Sequence, residues 1–362
     1  MMALAVPISS GQLAGGTHEE TGAVDPLGSS DWDAQVGAHP KSTVFHGSGW
    51  ARVLRDTYGH RPCYFTRFEA GKLTSLLPVM EVSSWLAGRR GVSLPFTDAC
   101  AALRPPGGNA GELYQRAMEC GRKRRWKTLE CRGASAAWEG SRASMSFYTH
   151  TIDVEAGPEK MFQGLEGAAR RGVRKAEKSG VKIDFDTGEE SMRTFFKLHC
   201  GTRRRHGLPP QPLRFFLNIQ RHLLSLGSGF IASARLESRP LAAAVFLHDK
   251  RQALYKFGAS DETFQHLRPN NLLMWASMKR CAEQGFGALN LGRTSLSNQG
   301  LRRFKLGLGA REERIDYSKY DFSTKQFVLD ADKAEGWYNR VFARLPVPAL
   351  RLLGGLLYPH LS

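Results

Sequence analysis

The sequence predicts an α/β protein of the α+β kind, built from two related halves with mixed, mostly antiparallel sheets. Segments 67–76 and 235–244 both place a charged turn containing Gly or Pro between two β-prone runs. In each half an amphipathic helix then runs through an aromatic residue into a strand, 112–131 in the first and 271–291 in the second. Because two matches occur in the same order, we favour duplication over chance similarity of two hairpins.

The first half is expected over 41–155, after a flexible segment over 1–40 that is rich in Gly, Ser and Ala. Hydrophobic periodicity and turn residues predict, in order, a helix over 49–58, a hairpin over 63–83, a loop with short strands over 92–103, a helix over 112–125 and a strand over 126–131. A strand over 147–154 leads into the second half.

The second half is expected over 156–325, followed by a helical tail over 326–362. Its predicted elements are helices over 158–179, 189–206 and 213–226, a hairpin over 230–247, a strand over 253–259, a helix over 271–284, a strand over 286–291 and a last strand near 315–320. Helices followed by an antiparallel meander and then strand–helix–strand argue against a doubly wound sheet. The sequence has no sustained heptad pattern, so we expect no long coiled-coil arm.

Composition indicates a globular protein with an anionic partner. The chain has 362 residues, 41% of them hydrophobic, which is enough for two domains with their own cores. Its 51 Lys and Arg against 34 Asp and Glu give +17, which suits RNA, a phosphorylated substrate or an anionic membrane face.

Cysteine usage and targeting signals indicate a cytoplasmic protein. Six scattered cysteines without a C-x-x-C pair are typical of reduced thiols, and no His/Cys group has zinc-ligand spacing, so no metal is expected. The N-terminus lacks the basic and apolar regions of a signal peptide. The sequence contains no run of 18 apolar residues, so we expect no transmembrane helix.

Several short motifs carry a family resemblance that runs from about residue 45 to 320. They are RRGVRKAEKSGV at 170–181, YKFGAS at 255–260, RPNNLLMW at 268–275, NLGR at 290–293, GLRRFK at 300–305 and, in the first half, LPFTD at 94–98. On these motifs the chain resembles the FemAB family of aminoacyl- or acyltransferases. It is similar in particular to a subgroup associated with bacterial exopolysaccharide and PEP-CTERM/exosortase gene systems.

The resemblance implies two tandem GNAT-like (acyl-CoA N-acyltransferase) domains that transfer an acyl or aminoacyl group to an amine. The acceptor would be a cell-envelope or exopolysaccharide precursor, reached at the inner face of the membrane. Two other functions stay open: a CoA-dependent N-acetyltransferase, and a non-catalytic protein that binds RNA or a membrane.

The acyl donor is expected as a co-substrate, aminoacyl-tRNA or acyl-CoA, with no bound cofactor. A CoA-using GNAT protein would show a Gly-rich phosphate loop before its central helix, and segment 265–271 contains no glycine. This disfavours acetyl-CoA. Backbone amides at the helix start can still receive an anion, helped by Arg268.

Acyl transfer to an amine needs loss of a proton, stabilisation of an oxyanion and alignment of both substrates. Resemblance to the family's Phe-Lys pair implies that Phe304 and Lys305 are catalytic residues, and we expect them in a loop between Gly300 and Gly307. The Lys305 ammonium would stabilise the developing oxyanion or a phosphate of the donor. A solvated lysine is the alternative, and Lys305→Ala is expected to lose turnover at an unchanged melting temperature. Asp98 is expected to be a base or a substrate anchor, with turn capping as its alternative.

A basic stretch on the helix at 158–179 predicts a phosphate-binding face, for tRNA or a diphosphate-linked lipid or nucleotide sugar, unless it is a solvated face. The substrate-binding candidates are Arg174, Lys175, Tyr255, Lys256, Asn270, Arg293 and Ser295. The resemblance places Tyr255 and Lys256 on the strand that splays to admit the donor. The tail over 341–361 is expected to rest on an anionic membrane as an amphipathic helix, or to pack on the protein itself.

Overall fold

The computed structural model describes residues 23–133, 138, 140–249, 251–330 and 337–361. Its strands are β1 Arg61–Pro62, β2 Phe65–Glu69, β3 Lys72–Leu77, β4 Met80–Ser84, β5 Gly88–Val92, β6 Thr128–Arg132, β7 Met145–Asp153, β8 Lys182–Asp186, β9 Gly229–Leu236, β10 Arg239–His248, β11 Gln252–Ser260, β12 Ala288–Ser295, β13 Arg311–Asp321 and β14 Gln326–Phe327.

The helices are α1 Trp32–Ala38, α2 Ser48–Tyr58, α3 Gly111–Lys123, α4 Gly157–Gly164, α5 Gly167–Lys178, α6 Glu189–Arg205, α7 Leu213–His222, α8 Pro269–Glu283, α9 Gln299–Leu306, α10 Trp337–Arg344 and α11 Val347–Leu357.

One mixed, mostly antiparallel sheet runs through both halves in the order β1-β4-β5-β6-β13-β7-β12-β11-β10-β9-β8, with β14 paired to β13. Strands β2 and β3 form a separate hairpin. The repeated helix-to-strand pattern is a repeated structural unit, because α3 connects the parallel pair β5–β6 and α8 connects the parallel pair β11–β12. The predicted α/β class, with two related halves and mostly antiparallel pairing, is confirmed.

The two halves exchange strands at the centre of the sheet. Strand β7 lies at the end of the first half in sequence, but it pairs with β12 of the second half. Strand β13 comes last in the second half and pairs with β6 of the first half. Because β7 and β13 also pair with each other, the predicted boundary at 155–156 is crossed by continuous hydrogen bonding.

Helices cover both faces of the second half. On β10, Val245 and Leu247 belong to the core beneath α2, α6 and α7, whereas Ala244 and Phe246 belong to the core beneath α5 and α8. Alternate residues of one strand are therefore buried on opposite faces, which a run of small and apolar residues permits. Helix α2 of the first half packs on α7 of the second, so the halves also share a core.

Three expectations are corrected. Residues 1–22 of the expected flexible segment lie outside the described residues, but from residue 23 onward the chain is packed, since Trp32 and Val36 on α1 are buried. The helix expected over 158–179 is two helices, α4 and α5, separated at Leu165 and Glu166. The hairpin expected over 63–83 is β2–β3 alone, while β4 pairs with β5 in the main sheet.

The tail packs one face on the second half. Leu350, Gly354 and Tyr358 of the tail are buried, and a Cβ at Gly354 would lie 1.9 Å from the carbonyl oxygen of Pro210. The Tyr358 hydroxyl donates to the carbonyl oxygen of Pro209 at 3.2 Å. In the part of the chain that is described, no helix has the length and apolarity needed to cross a bilayer.

Candidate functional site

Strands β11 and β12 diverge next to a bulge. They pair only over 252–254 and 288–290, although both continue beyond these residues. The pairing of β12 with β7 slips between Asn290 and Arg293, where Gly292 has φ +72°, a conformation that glycine adopts without steric cost. The divergence expected at Tyr255 and Lys256 is therefore present.

A cavity of about 280 Å³ lies where the two halves meet, and we call it the junction pocket. Its lining comes from the loop after β5, from β6, β7, β11, β12 and β13, and from the segment before α7. The lining residues are Phe96, Thr97, Asp98, Glu130, Arg132, Met145, Phe147, Gln211, Lys256, Phe257, Arg293 and Tyr317. Because both halves contribute charged groups, the pocket depends on the strand exchange described above.

An ion pair between Asp98 and Lys256 forms one wall of the junction pocket. The Lys256 Nζ lies 2.8 Å from Asp98 Oδ2, and only 4% of the Lys256 side chain is exposed. Burial of Asp98 opposes its ionisation, but attraction and hydrogen bonding by Lys256, with help from Arg293 and Lys305, hold the pKa of Asp98 below its ordinary value. Asp98 is therefore a carboxylate at neutral pH, which suits an anchor for a cation better than a general base.

Two arginines form the other walls. Arg132 donates from Nε to Glu130 Oε1 at 2.9 Å and from a terminal nitrogen to the carbonyl oxygen of Thr97 at 3.0 Å. Arg293 donates to the Tyr317 hydroxyl at 3.1 Å and lies over the Phe147 ring at 4.4 Å. These contacts fix both guanidinium groups, so their charge is already directed into the pocket before a ligand arrives.

Lys305 lies on helix α9, not in a loop, and its side chain points between α9 and β12. The residue is 3% exposed, and its Nζ donates to the carbonyl oxygens of Gly292 at 2.8 Å and Arg293 at 3.1 Å. Burial lowers its pKa to about 8, with Asp98 opposing and Lys256 adding to that shift. A lysine held this way also stabilises the bulge, so Lys305→Ala is expected to lower the melting temperature rather than leave it unchanged.

A second cavity of about 500 Å³, the basic cleft, lies between the starts of α5 and α8 and the length of α9. Four of its lining residues are cationic and one is acidic. The lining residues are Glu166, Ala168, Ala169, Arg171, Gly172, Lys175, Arg268, Asn271, Gly300, Arg303, Phe304 and Gly307. The predicted phosphate-binding face therefore borders a cavity large enough for part of a ligand.

The cleft is shaped by the close approach of two helix starts. A Cβ at Gly172 would lie 2.8 Å from Asn271 Cγ, so any larger residue on α5 would displace the Asn271 side chain of α8. The break before α5 leaves the first amides of that helix, at Gly167 and Ala168, without a side-chain cap. At α8, Arg268 has φ +61° and the next residue is Pro269, which has no N–H.

The candidate residues divide into three groups. Asp98, Lys256 and Arg293 line the junction pocket, and Lys305 lies behind its wall, bonded to the main chain of Gly292 and Arg293, while Phe304 and Lys175 line the basic cleft. The remaining four line neither cavity. Arg174 lies over the Phe162 ring, and the Tyr255 ring packs on Phe246 with its hydroxyl close to Gly258. The Ser295 hydroxyl is hydrogen-bonded to that of Ser297, and Asn270 lies on the first turn of α8.

Among the lining residues that sequence reasoning did not select, four are polar or charged in ways that shape the cavities: Glu130, Arg132, Arg303 and Tyr317. Glu130 and Arg132 alternate with apolar residues on a strand, a pattern that by itself could have indicated a polar face inside the molecule. Tyr317 lies on a strand that was predicted, but nothing local marks it as a pocket residue.

Known proteins share the fold of this chain. Residues 166–312 match the family model of the acetyltransferase (GNAT) domain, a range that includes α5, α8 and α9. No curated protein sequence matches the chain. Among solved structures, a crystal structure of FemX is similar with a TM-score of 0.64 at 15% identity, over 78% of this chain and 94% of that chain.

Two further structures share this architecture. The C-terminal domain of a putative lysylphosphatidylglycerol synthetase from Agrobacterium fabrum has a TM-score of 0.53 at 15% identity, over 86% of this chain and 92% of that chain. L-PGS from Bacillus licheniformis has a TM-score of 0.51 at 11% identity, over 90% of this chain and 96% of that chain. At these identities the likeness establishes the fold.

Proposed function

We propose that this chain is an acyltransferase that transfers an aminoacyl group from tRNA to an amine of a cell-envelope or exopolysaccharide precursor. The match of residues 166–312 to the acetyltransferase (GNAT) domain and the fold shared with FemX support the proposal. The basic cleft would hold the donor and the junction pocket the acceptor. The observation that carries the proposal is that α9 lines the basic cleft and is bonded through Lys305 to the main chain of Gly292 and Arg293, and Arg293 lines the junction pocket. Phe304 lines the cleft, while the adjacent Lys305 acts electrostatically on Asp98 of the pocket.

The reaction joins the acceptor nitrogen to the acyl carbonyl carbon. In the tetrahedral intermediate the carbonyl oxygen carries a negative charge, and the C–O bond of the aminoacyl ester then breaks. The leaving hydroxyl oxygen gains a proton, and the acceptor nitrogen loses one. A lysine ammonium has three N–H donors, and two of those of Lys305 go to main-chain carbonyls. We assign the third to the oxyanion, where one donor contributes roughly 10²–10³ in rate.

Asp98 has a different role in this scheme. As a carboxylate paired with Lys256, it attracts an acceptor in its ammonium form and places the nitrogen near Lys305. Deprotonation of that ammonium would then require a water or the substrate itself. Arg132 and Arg293 favour an acceptor that also carries a carboxylate or phosphate group.

The favoured donor follows from the chemistry of the cleft. A CoA pyrophosphate is usually wrapped by backbone amides at the start of the central helix, and here Pro269 removes one amide while Arg268 occupies a left-handed position. Side-chain charge replaces these amides and continues along α5 beyond the cleft, where Arg174 and Lys178 are exposed. Such a charged strip is better matched to a polynucleotide backbone than to one CoA.

The relatives' names agree with an aminoacyl product. The putative lysylphosphatidylglycerol synthetase is named for joining lysine to phosphatidylglycerol. Transfer to an envelope precursor would take place in the cytoplasm, at the inner face of the membrane.

Binding of labelled aminoacyl-tRNA as a function of salt concentration tests the donor assignment. Lys175→Ala and Arg303→Ala should each weaken binding and reduce the slope of log K against log salt by about 1. Lys72→Ala, an exposed lysine on the separate β2–β3 hairpin, is the matched control and should leave the slope unchanged.

Acetyl-CoA is tested beside the tRNA in thermal shift and transfer assays. Stabilisation by acetyl-CoA with formation of an acetylated amine, and none by aminoacyl-tRNA, would replace the proposed donor by CoA. Equal tRNA binding by wild type, Lys175→Ala and Arg303→Ala would show that the basic cleft does not bind the donor.

A further inference from the structure

The outer face of the C-terminal helix α11 is apolar and exposed. Leu352 and Leu356 are 67% and 60% exposed, and they lie on the side of α11 opposite the buried Leu350 and Gly354. Arg351 is the one charged residue of α11, and a helix this apolar is normally enclosed by protein or in contact with lipid. Within the described residues, no element covers this outer face.

The hairpin turn between β4 and β5 extends the same surface. Trp85 at its tip is 82% exposed and Leu86 is 57% exposed. The Trp85 indole N–H donates to His360 Nε2 at 2.8 Å, so the hairpin of the first half is attached to the end of the tail. Leu361, which is 49% exposed, follows directly. We call Trp85, Leu86, Leu352, Leu356 and Leu361 the apolar platform.

The charges on the two segments that carry the platform are of one sign. The hairpin segment 82–92 and the tail segment 337–361 contain no Asp or Glu, whereas they contain Arg89, Arg90, Arg340, Arg344 and Arg351. The side chain of Lys127 adds a cation close to Gly88 in the same hairpin. Exposed tryptophan and leucine side chains with surrounding arginines are complementary to a bilayer with anionic head groups.

We propose that the apolar platform docks this protein on the surface of an anionic phospholipid membrane, with Trp85, Leu352 and Leu356 inserted among the lipids. The hairpin belongs to the first half and the tail packs on the second, so docking holds the two halves in one orientation to the membrane. The junction pocket lies between those halves. The docking surface does not depend on acyl transfer, so an inactive Lys305→Met variant should still bind vesicles.

Vesicle flotation with the full-length protein tests the proposal. Binding to vesicles that contain phosphatidylglycerol should exceed binding to phosphatidylcholine vesicles, and high salt should reduce the difference. Leu352→Gln/Leu356→Gln should bind at least about tenfold more weakly. Leu226→Gln replaces a leucine that is 70% exposed outside the platform, and it should bind like wild type.

Fluorescence identifies the inserted side chain. Trp32, Trp50, Trp126, Trp138 and Trp275 are at most 7% exposed. The experiment is done in a Trp337→Phe background, which removes the tryptophan of the tail, so quenching by brominated lipids should come chiefly from Trp85 and should be lost when Trp85→Phe is added. Full binding by Leu352→Gln/Leu356→Gln, or no vesicle binding by wild type, would overturn the proposal. A dimer in sedimentation analysis that the same double substitution dissociates would assign the platform to a second copy of the chain instead.

Discussion

Removal of the Asp98 carboxylate by Asp98→Asn should destabilise the protein mainly through the charge that it leaves behind. The Lys256 side chain is 4% exposed, and its ammonium would lose its counter-ion at 2.8 Å. Breaking a buried ion pair from one side costs about 3–5 kcal/mol in unfolding free energy. Lys256→Met should cost less, because 21% of the Asp98 side chain reaches solvent and can be hydrated.

A double-mutant cycle separates the pair from other effects. Asp98→Asn/Lys256→Met removes both charges, so its loss of stability should be smaller than the sum of the single losses by ~1–3 kcal/mol. Urea unfolding at neutral pH measures all four proteins. The carboxylate's pKa is depressed in the fold, so its contribution is present above the unfolded value of about 3.9 and is lost as pH falls through the folded value. Additive losses, with the double variant the least stable, would refute this account.

Three further predictions concern other parts of the site. Burial lowers the pKa of Lys305 to about 8, so kcat/KM should fall above about pH 8 as the ammonium loses its proton. In Lys305→Arg that fall should move to higher pH, because a guanidinium keeps its charge. The same pH profile for both enzymes would show that Lys305 takes no part in the chemistry. Gly172→Ala places a Cβ 2.8 Å from Asn271 Cγ and should weaken donor binding, measured by tRNA titration, with little change in acceptor binding; an unchanged donor Kd would contradict the close-approach argument. Gly207→Ala combines φ +63° with a Cβ 2.0 Å from the carbonyl oxygen of Asn339, so faster proteolysis of the tail is expected, and wild-type protease resistance would count against that contact.

The sequence was informative where a pattern is local. The repeated helix-to-strand pattern predicted two related units, and the FemAB-like motifs selected Asp98, Lys256, Arg293 and Lys305, which lie close together. Their partnership could not be predicted, since Asp98 and Lys256 are joined only by the packing of two halves. The same holds for Lys305, whose bonds depend on a bulge in another element.

Other errors have identifiable physical causes. The helix expected over 158–179 has an amphipathic pattern throughout, but Gly164 and Gly167 flank its break and were a usable signal. Gly300 and Gly307 suggested a loop around Lys305, yet Asn298 caps α9 through its side chain and starts a helix despite the glycines. Arg132 was missed because a buried arginine requires Glu130 and main-chain carbonyls as partners, and these are fixed by tertiary contacts.

The strand exchange at the centre of the sheet has a consequence for biosynthesis. Strand β6 leaves the ribosome long before β13, its neighbour in the sheet, and at ~5–20 residues per second the interval is roughly 10–40 s. During that time β6 has an open edge, the kind of edge at which nascent chains aggregate. A stop codon placed before β13 should therefore yield an insoluble chain in which the edge of β6 stays open. The protein completes its sheet only once nearly all of it has been made.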